Sequence, residues 1–423
     1  MSKKSFFSLI ICLIFILTIA VGCSQPAPQP AQKDPAAPTG PVVPDKNEIV
    51  IGSVSSLSGP LSPIEGAAFG PIRQMWVNDI NARGGIYVKE YDKKLPIKLI
   101  EYDDTSDIGT MTRLMERLIV EDKVDFIFPP TGTAMLFAAG EVANKHEKLL
   151  IGMSGGASEI KQIIAGMPYF FSALNFSDTQ MPALVNMMVD QGVESAAIVF
   201  IGDLHGVEYS GAAVPQLALA GIDVIYVKSI PPGISDMSSL IREAKAADVD
   251  AFLCFAYPDE NILALMQSME LGFNPKLFLT GPGGNFGFFR DIFGDQVMEG
   301  MMSWGAWNER SSPGSKEFVD KFIPLYGEPM VDWWGHNLYW GALQFFEQAV
   351  EKAGTLDNAV VRDIVATEKF DTILGPTWFE GGMLAEECHT GEVGQWQNGK
   401  FEVIAPYDKA TAKPIYPKPS WPR

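Results

Sequence analysis

The sequence predicts an α/β protein made of two doubly wound parallel-sheet lobes, and three observations carry that prediction. Short apolar runs of strand length alternate with helical segments between residues 49 and 279. The alternation passes through two successive series, and the strand runs break at their carboxyl ends into small residues, where ligands of such sheets bind. At 423 residues, with 47% apolar side chains, 26 Phe and 9 Trp, the chain can fill two sizeable cores.

Residues 1–22 read as a processing segment. Lys3 and Lys4 give it a basic start, Phe6 to Ala20 an apolar centre too short for the roughly 20 residues of a membrane-spanning helix, and Ala20-Val-Gly-Cys23 its close. A small residue directly before a cysteine resembles the lipobox of bacterial lipoprotein signal peptides. That resemblance implies cleavage before Cys23 and lipidation of Cys23, two or more acyl chains then holding the protein to a membrane. An uncleaved anchor is the alternative, with the same topology. Residues 23–47, Pro, Ala and Gln with little else, cannot bury a core and form a tether.

The first lobe begins with the strand Ile49 to Val54, the loop Ser55 to Pro63 and a helix from Glu65 to Ala82, which Gly84-Gly85 stops. There follow strand 97–102, helix 109–120 with Met111, Leu114, Met115 and Leu118 on one face, strand 124–128, helix 134–145 and strand 149–151. The second series runs helix 179–190, strand 196–201, helix 206–220, strand 222–227, helix 237–246, strand 251–255, helix 261–271 and strand 276–279. Beyond Gly281 the pattern loosens to helices at 315–326, 335–353 and 357–367, then short strands to Tyr407.

Two turns stand out as binding loops. Phe128-Pro-Pro-Thr-Gly-Thr-Ala134 and Ile151-Gly-Met-Ser-Gly-Gly-Ala157 each follow a buried strand and consist of small residues that let a ligand approach backbone N–H groups. Thr131 and Thr133 add hydroxyls where the helix 134–145 begins, so its free N–H groups and dipole favour an anion, of which a carboxylate is the simplest.

Other chemistry is less supported. A formal charge of −19, spread along the chain, argues for solubility and against a nucleic-acid partner. No cofactor is expected: Gly281-Pro-Gly-Gly-Asn-Phe-Gly287 lacks both the dinucleotide-loop spacing and a following Lys-Ser/Thr, and four His without a Cys/His cluster do not make a transition-metal site. Gly152-Met-Ser-Gly-Gly156 satisfies G-x-S-x-G, with Asp332 and His336 or His389 later, so a hydrolase using Ser154 is the enzyme alternative. Against it, the segment after Ala157 soon reaches Pro168 instead of forming a long helix. Cys254 lies in a buried-strand run and reads as a free core thiol, a Cys254–Cys388 disulfide being the alternative.

Ile49-Val-Ile-Gly-Ser-Val-Ser-Ser-Leu-Ser-Gly-Pro60, Asn78-Asp-Ile-Asn-Ala-Arg-Gly-Gly-Ile86 and Glu101-Tyr-Asp-Asp-Thr-Ser-Asp107, in that order, resemble the leucine/isoleucine/valine-binding type of ABC-transporter solute receptor, a type I periplasmic binding fold. Glu121-Asp-Lys-Val-Asp125, Tyr169-Phe-Phe and Phe370-Asp-Thr-Ile-Leu-Gly-Pro376 extend the similarity, which runs from about Glu48 to about Tyr407. The resemblance implies three crossings between lobes, near Leu174, Leu279 and Gly375. The expected division is then 48–174 with 280–375, 175–279 with 376–410, and a tail at 411–423. It further implies an extracytoplasmic, non-enzymatic monomer that closes on its solute and is recognised by the membrane subunits of an ABC permease; a ligand-sensing receptor subunit of the same fold is the alternative.

Site residues follow by the same resemblance. A hydroxyl that binds the ligand carboxylate falls on Thr131, with Gly132 and Thr133 beside it, and backbone donors fall on Gly155, Gly156 and Ala157. Leu57 and Ser58 match a ligand-lining segment. Where relatives hold an ammonium, this chain has Ala157 (or Ser158), His205 and Gly283 in place of threonine, tyrosine and glutamate. The expected ligand is a small carboxylate, branched-chain amino acid-like; since an ammonium buried without acceptors is costly, a carboxylate without an α-amino group is the refinement these positions suggest. Trp334 matches an aromatic ligand contact or is core; Tyr257 and His205 contact ligand from the second lobe or stand at its rim.

Overall fold

The central strand of the first lobe, Ile49–Ser55, is buried along nearly its whole length, as a parallel strand covered on both faces must be. It pairs in parallel with Ile97–Asp103 on one side and Phe126–Phe128 on the other, with Ile51 opposite both Leu99 and Phe126. Leu150–Gly152 and Phe170–Ser172 continue the lobe as part of an adjoining four-stranded sheet. The computed structural model describes residues 45–422 except Glu159 and Asn175. The expected leader, Cys23 and nearly all of the tether lie outside the described residues, among which no helix is long and apolar enough to cross a membrane.

Helices form where apolar spacing and caps coincide. Ile108–Val120 starts at Asp107, whose side chain accepts from Thr110 N at 2.7 Å, and it buries Met111, Met115 and Leu118. The helix expected from Glu65 begins at Ser62 and contains a π-helical turn, Glu65–Phe69, before Gly70–Ala82. That wider turn lets Glu65 and Arg73, each only 2% exposed, point inward as an ion pair. Gly335–Ala353 returns from the far end of the sequence to the same core, where Phe346 meets Phe126 edge-on at 4.9 Å.

The second lobe is one seven-stranded sheet. Its parallel part holds Asp223–Ile230, Ser195–Ile201, Ala251–Phe255, Leu277–Gly281 and Met302–Trp304 side by side; Val393–Gln397 and Lys400–Ala405 extend it antiparallel. Three segments cross between the lobes, but two cross later than expected. Leu279 lies inside a central strand and pairs with Met302, so residues 280–304 stay with the second sheet and the chain leaves after Trp304. Met383 pairs with Ser172, so residues 376–384 stay with the first lobe and the last crossing precedes Val393. Both strands are too short, three residues and two, to announce themselves by periodicity.

Candidate functional site: the cleft between the lobes

The turn singled out in the sequence does lead into a helix, Thr133–Lys145, through Gly132 at φ 97°, a conformation that favours glycine. The first N–H groups of that helix have no intrahelical acceptors and make the end an anion-favouring one. The flanking hydroxyls are already engaged. Thr131 donates to the Glu65 carboxylate, whose other oxygen receives Arg73 Nη2 at 2.6 Å; the same nitrogen donates to Glu101 at 2.6 Å. Burial alone would lower the Arg73 pKa, yet its Tyr339, Glu65 and Glu101 neighbours hold it above the ordinary value. Thr133 Oγ1 lies 3.4 Å from both Ser154 O and Glu208 Oε1.

Glu208 belongs to the opposite lobe. The helix Leu204–Leu219 begins two residues earlier than expected because Asp203 caps it, accepting from Gly206 N at 3.0 Å. His205, Glu208 and Tyr209 therefore share one helical face. A Cβ on Gly206 would lie 1.9 Å from Ile201 O, so only glycine lets this turn approach its strand. The His205 ring stacks on Tyr257 at 5.1 Å and meets Tyr209 edge-on at 4.8 Å, while Tyr209 packs on Trp304 at 4.3 Å. His205 Nδ1 stands 3.7 Å from Glu208 Oε1. Burial pushes the Glu208 carboxyl up to about 7 although His205 and Thr133 pull it down, and its Oε2 is buried without a partner among the described residues. Asp332, 3% exposed, accepts from Trp334 N at 2.9 Å and from Asn285; burial pushes it up to about 6 against those bonds.

Between the lobes, Thr131, Thr133, His205, Tyr257, Asp332 and Trp334 help to line a chamber of about 40 Å³. It opens past Gly132, Thr133 and Tyr257 into a vestibule of about 350 Å³ with apolar walls at Leu61, Ile108, Met135 and Pro258. Among the described residues no Lys or Arg lines either space, whereas Asp332 lines the chamber and Asp203, Asp259 and Glu260 the vestibule. Six of the expected residues, Thr131, Gly132, Thr133, His205, Tyr257 and Trp334, come together here.

The other expected residues lie elsewhere. Leu57 is 51% exposed, and the Ser58 hydroxyl donates to Asp103 at 2.7 Å on the outer rim. Gly155, Gly156 and Ala157 are buried behind the chamber; a Cβ on Gly156 would lie 2.5 Å from the Tyr209 hydroxyl, so this glycine serves lobe contact. Gly283, at φ 129°, binds Asn285 Oδ1 through its N–H at 2.9 Å, and Pro282 faces the chamber in its place.

Sequence reasoning missed Glu65 and Glu208, and named Asp332 only as an acid for the hydrolase alternative. It also treated the cleft as having no counterpart for a positive group. That holds at the three positions compared, but Glu208, legible as the third residue beyond His205, and Asp332 bring carboxyls to the cleft from other positions. The G-x-S-x-G serine is committed elsewhere: Ser154 donates to Pro130 O at 3.0 Å. His336 is fully buried between Ala67 O and Asp332 N, with burial pushing it down to about 3, and His389 pairs with Glu392. Cys254 and Cys388 are free thiols.

Two α/β lobes that enclose a small chamber beside an anion-favouring helix end define a two-lobed solute receptor. Residues 48–400 match the periplasmic binding protein family model, and the chain belongs to that family. It is 26% identical over 391 residues to Leu/Ile/Val-binding protein homolog 8 of Brucella abortus strain 2308, covering 88% of this chain and 94% of the relative. Among solved structures it resembles the leucine-binding protein LivK of Thermotoga maritima (TM-score 0.71, 19% identity, 85% and 99% of the two chains). Similar too are LivJ of Streptococcus pneumoniae in complex with isoleucine (0.72, 18%, 88% and 100%) and a solute-binding protein of Rhodopseudomonas palustris in complex with 3,4-dihydroxybenzoic acid (0.70, 16%, 89% and 99%). The family places the chain in an extracytoplasmic setting.

Proposed function

We propose that this chain is the solute-binding component of an ABC importer, tethered to the membrane through a lipidated Cys23 and delivering a small carboxylate-bearing solute to its permease. One observation carries the reading: the chamber is walled by the Thr131–Gly132–Thr133 helix end from one lobe and by His205 and Tyr257 from the other. A solute bridging those walls gains contacts only when the lobes meet, which is how binding drives closure. The chamber's 40 Å³ accepts a head group, and the solute's body extends into the vestibule or parts the lobes slightly. Leucine, isoleucine and 3,4-dihydroxybenzoic acid, the ligands named for those similar structures, all carry a carboxylate.

The buried carboxyl of Asp332 on the chamber wall, with that of Glu208 behind Thr133 and His205, favours a solute with a donor beside that carboxylate, as in an α-amino acid. Calorimetry with leucine, valine and phenylalanine beside their deaminated counterparts tests this, with the amino acids expected at least tenfold tighter. Tighter binding of the deaminated acids would restore the reading that the loop positions alone favour; failure of every carboxylate, against binding of some neutral solute, would overturn the proposal.

A further inference from the structure

Behind the cleft, the segments that cross between the lobes border a second cavity of about 620 Å³, larger than chamber and vestibule together. Its wall comes from both lobes and from two crossings, residues 306–312 and 387–392. The cations on that wall are occupied. Arg310 is paired with Glu402, and Lys409 donates to Glu392 Oε1 at 3.0 Å and to Thr390 at 3.2 Å.

What remains on the wall accepts hydrogen bonds. Glu392 Oε2, 3.1 Å from His389 Nδ1, is a buried acceptor without a hydrogen-bond partner among the described residues, and His389 Nε2 beside it is likewise unpartnered. Asn337, 9% exposed, likewise has an Oδ1 without a partner among the described residues. The carboxylates of Glu387 and Asp408 stand exposed on the same wall. Buried acceptors left unpaired cost free energy, and a pocket lined with them and with carboxylates selects donors.

We infer that this cavity is a second ligand site, distinct from the cleft, for a small cation rich in hydrogen-bond donors, such as an amine or amidine. An occupant would touch both lobes and two crossings, and so would bear on the angle between the lobes. It would also meet Trp307, which binds Asp332 O through Nε1 at 2.9 Å and Trp333 O through its N–H at 2.7 Å, beside the solute chamber.

Cys388, on the cavity wall, reports on occupancy. In the full chain carrying Cys12→Ser and Cys23→Ser, the remaining thiols are Cys388 and the fully buried Cys254. Putrescine and agmatine are expected to slow modification of Cys388 by a small thiol reagent at least threefold and saturably, while sorbitol and potassium chloride at equal concentration do not. Asn337→Leu and the surface pair Glu387→Gln/Asp408→Asn, which leaves the core untouched, should lose the protection, and Thr133→Val in the cleft should keep it. Absence of saturable protection, equal protection by sorbitol or potassium chloride, or protection lost in Thr133→Val but kept in the surface pair would overturn the inference.

Discussion

Arg73 shows how one residue can set the geometry of a binding turn that it does not touch. Its guanidinium holds Glu65, and Glu65 in turn holds the hydroxyl of Thr131. Removing one partner from a buried ion pair leaves an uncompensated charge, at a cost of about 3–5 kcal/mol, whereas replacing the pair with apolar groups of similar volume is far milder. Arg73→Met is therefore expected to lose stability on that scale in urea unfolding, and Glu65→Leu/Arg73→Met to recover most of it. A double variant no more stable than the single one would show that the pair is not the relevant unit. Gly305 plays a similar hidden part at φ 76°, where a Cβ would lie 2.1 Å from Trp334 Cδ1. Gly305→Ala should displace the indole from the chamber and weaken solute binding at least tenfold by calorimetry, while circular dichroism stays native.

At the scale of elements, the sequence was most legible where period and cap agreed. The strand Ala251–Phe255 and the helices Ser315–Tyr326 and Gly335–Ala353 fall at their expected boundaries, because continuous apolar runs and amphipathic stripes need no distant partner to be read. Strands of two or three residues, such as Met302–Trp304 and Met383–Leu384, exist only through their neighbours in a sheet, and the lobe boundaries moved with them. The site divides in the same way. The Thr131–Thr133 turn was visible as small residues between a strand and a helix, while Glu208, three residues beyond His205, joins its face only because Asp203 starts the helix before His205. Asp203→Ala should therefore cost about 1 kcal/mol as a lost cap, read by thermal unfolding. It should also weaken solute binding, because the cap sets the rotation of His205 and Glu208; loss of stability with unchanged affinity would confine Asp203 to capping.

For the molecule as a whole, buried titratable groups give stability two opposing pH slopes. His336 is held down to about 3 by burial. Burial would raise Glu392, yet His389 and Lys409 hold it down to about 2. Both groups contribute stability that is present above their unfolded values and lost as pH falls toward these figures. Glu208 runs the other way. Its folded value of about 7 exceeds an ordinary 4.5, so its contribution is fully present below about 4.5 and is lost as pH rises through about 7. The groups that face it are His205 and Asp203 on its own helix end, Tyr209 one residue on, Tyr257 from the same lobe, and Thr133 across the cleft. Glu208→Gln cannot ionise. In the ligand-free protein its stability relative to wild type should rise between pH 5 and pH 8, by at most on the order of 3 kcal/mol from the size of the shift. Because the carboxyl is buried by contact between the lobes, the same variant should close more readily at pH 8, seen as a smaller radius of gyration by X-ray scattering. A stability difference that stays constant across this range would mean that Glu208 is solvated in the ligand-free protein, with the lobes standing apart until solute arrives.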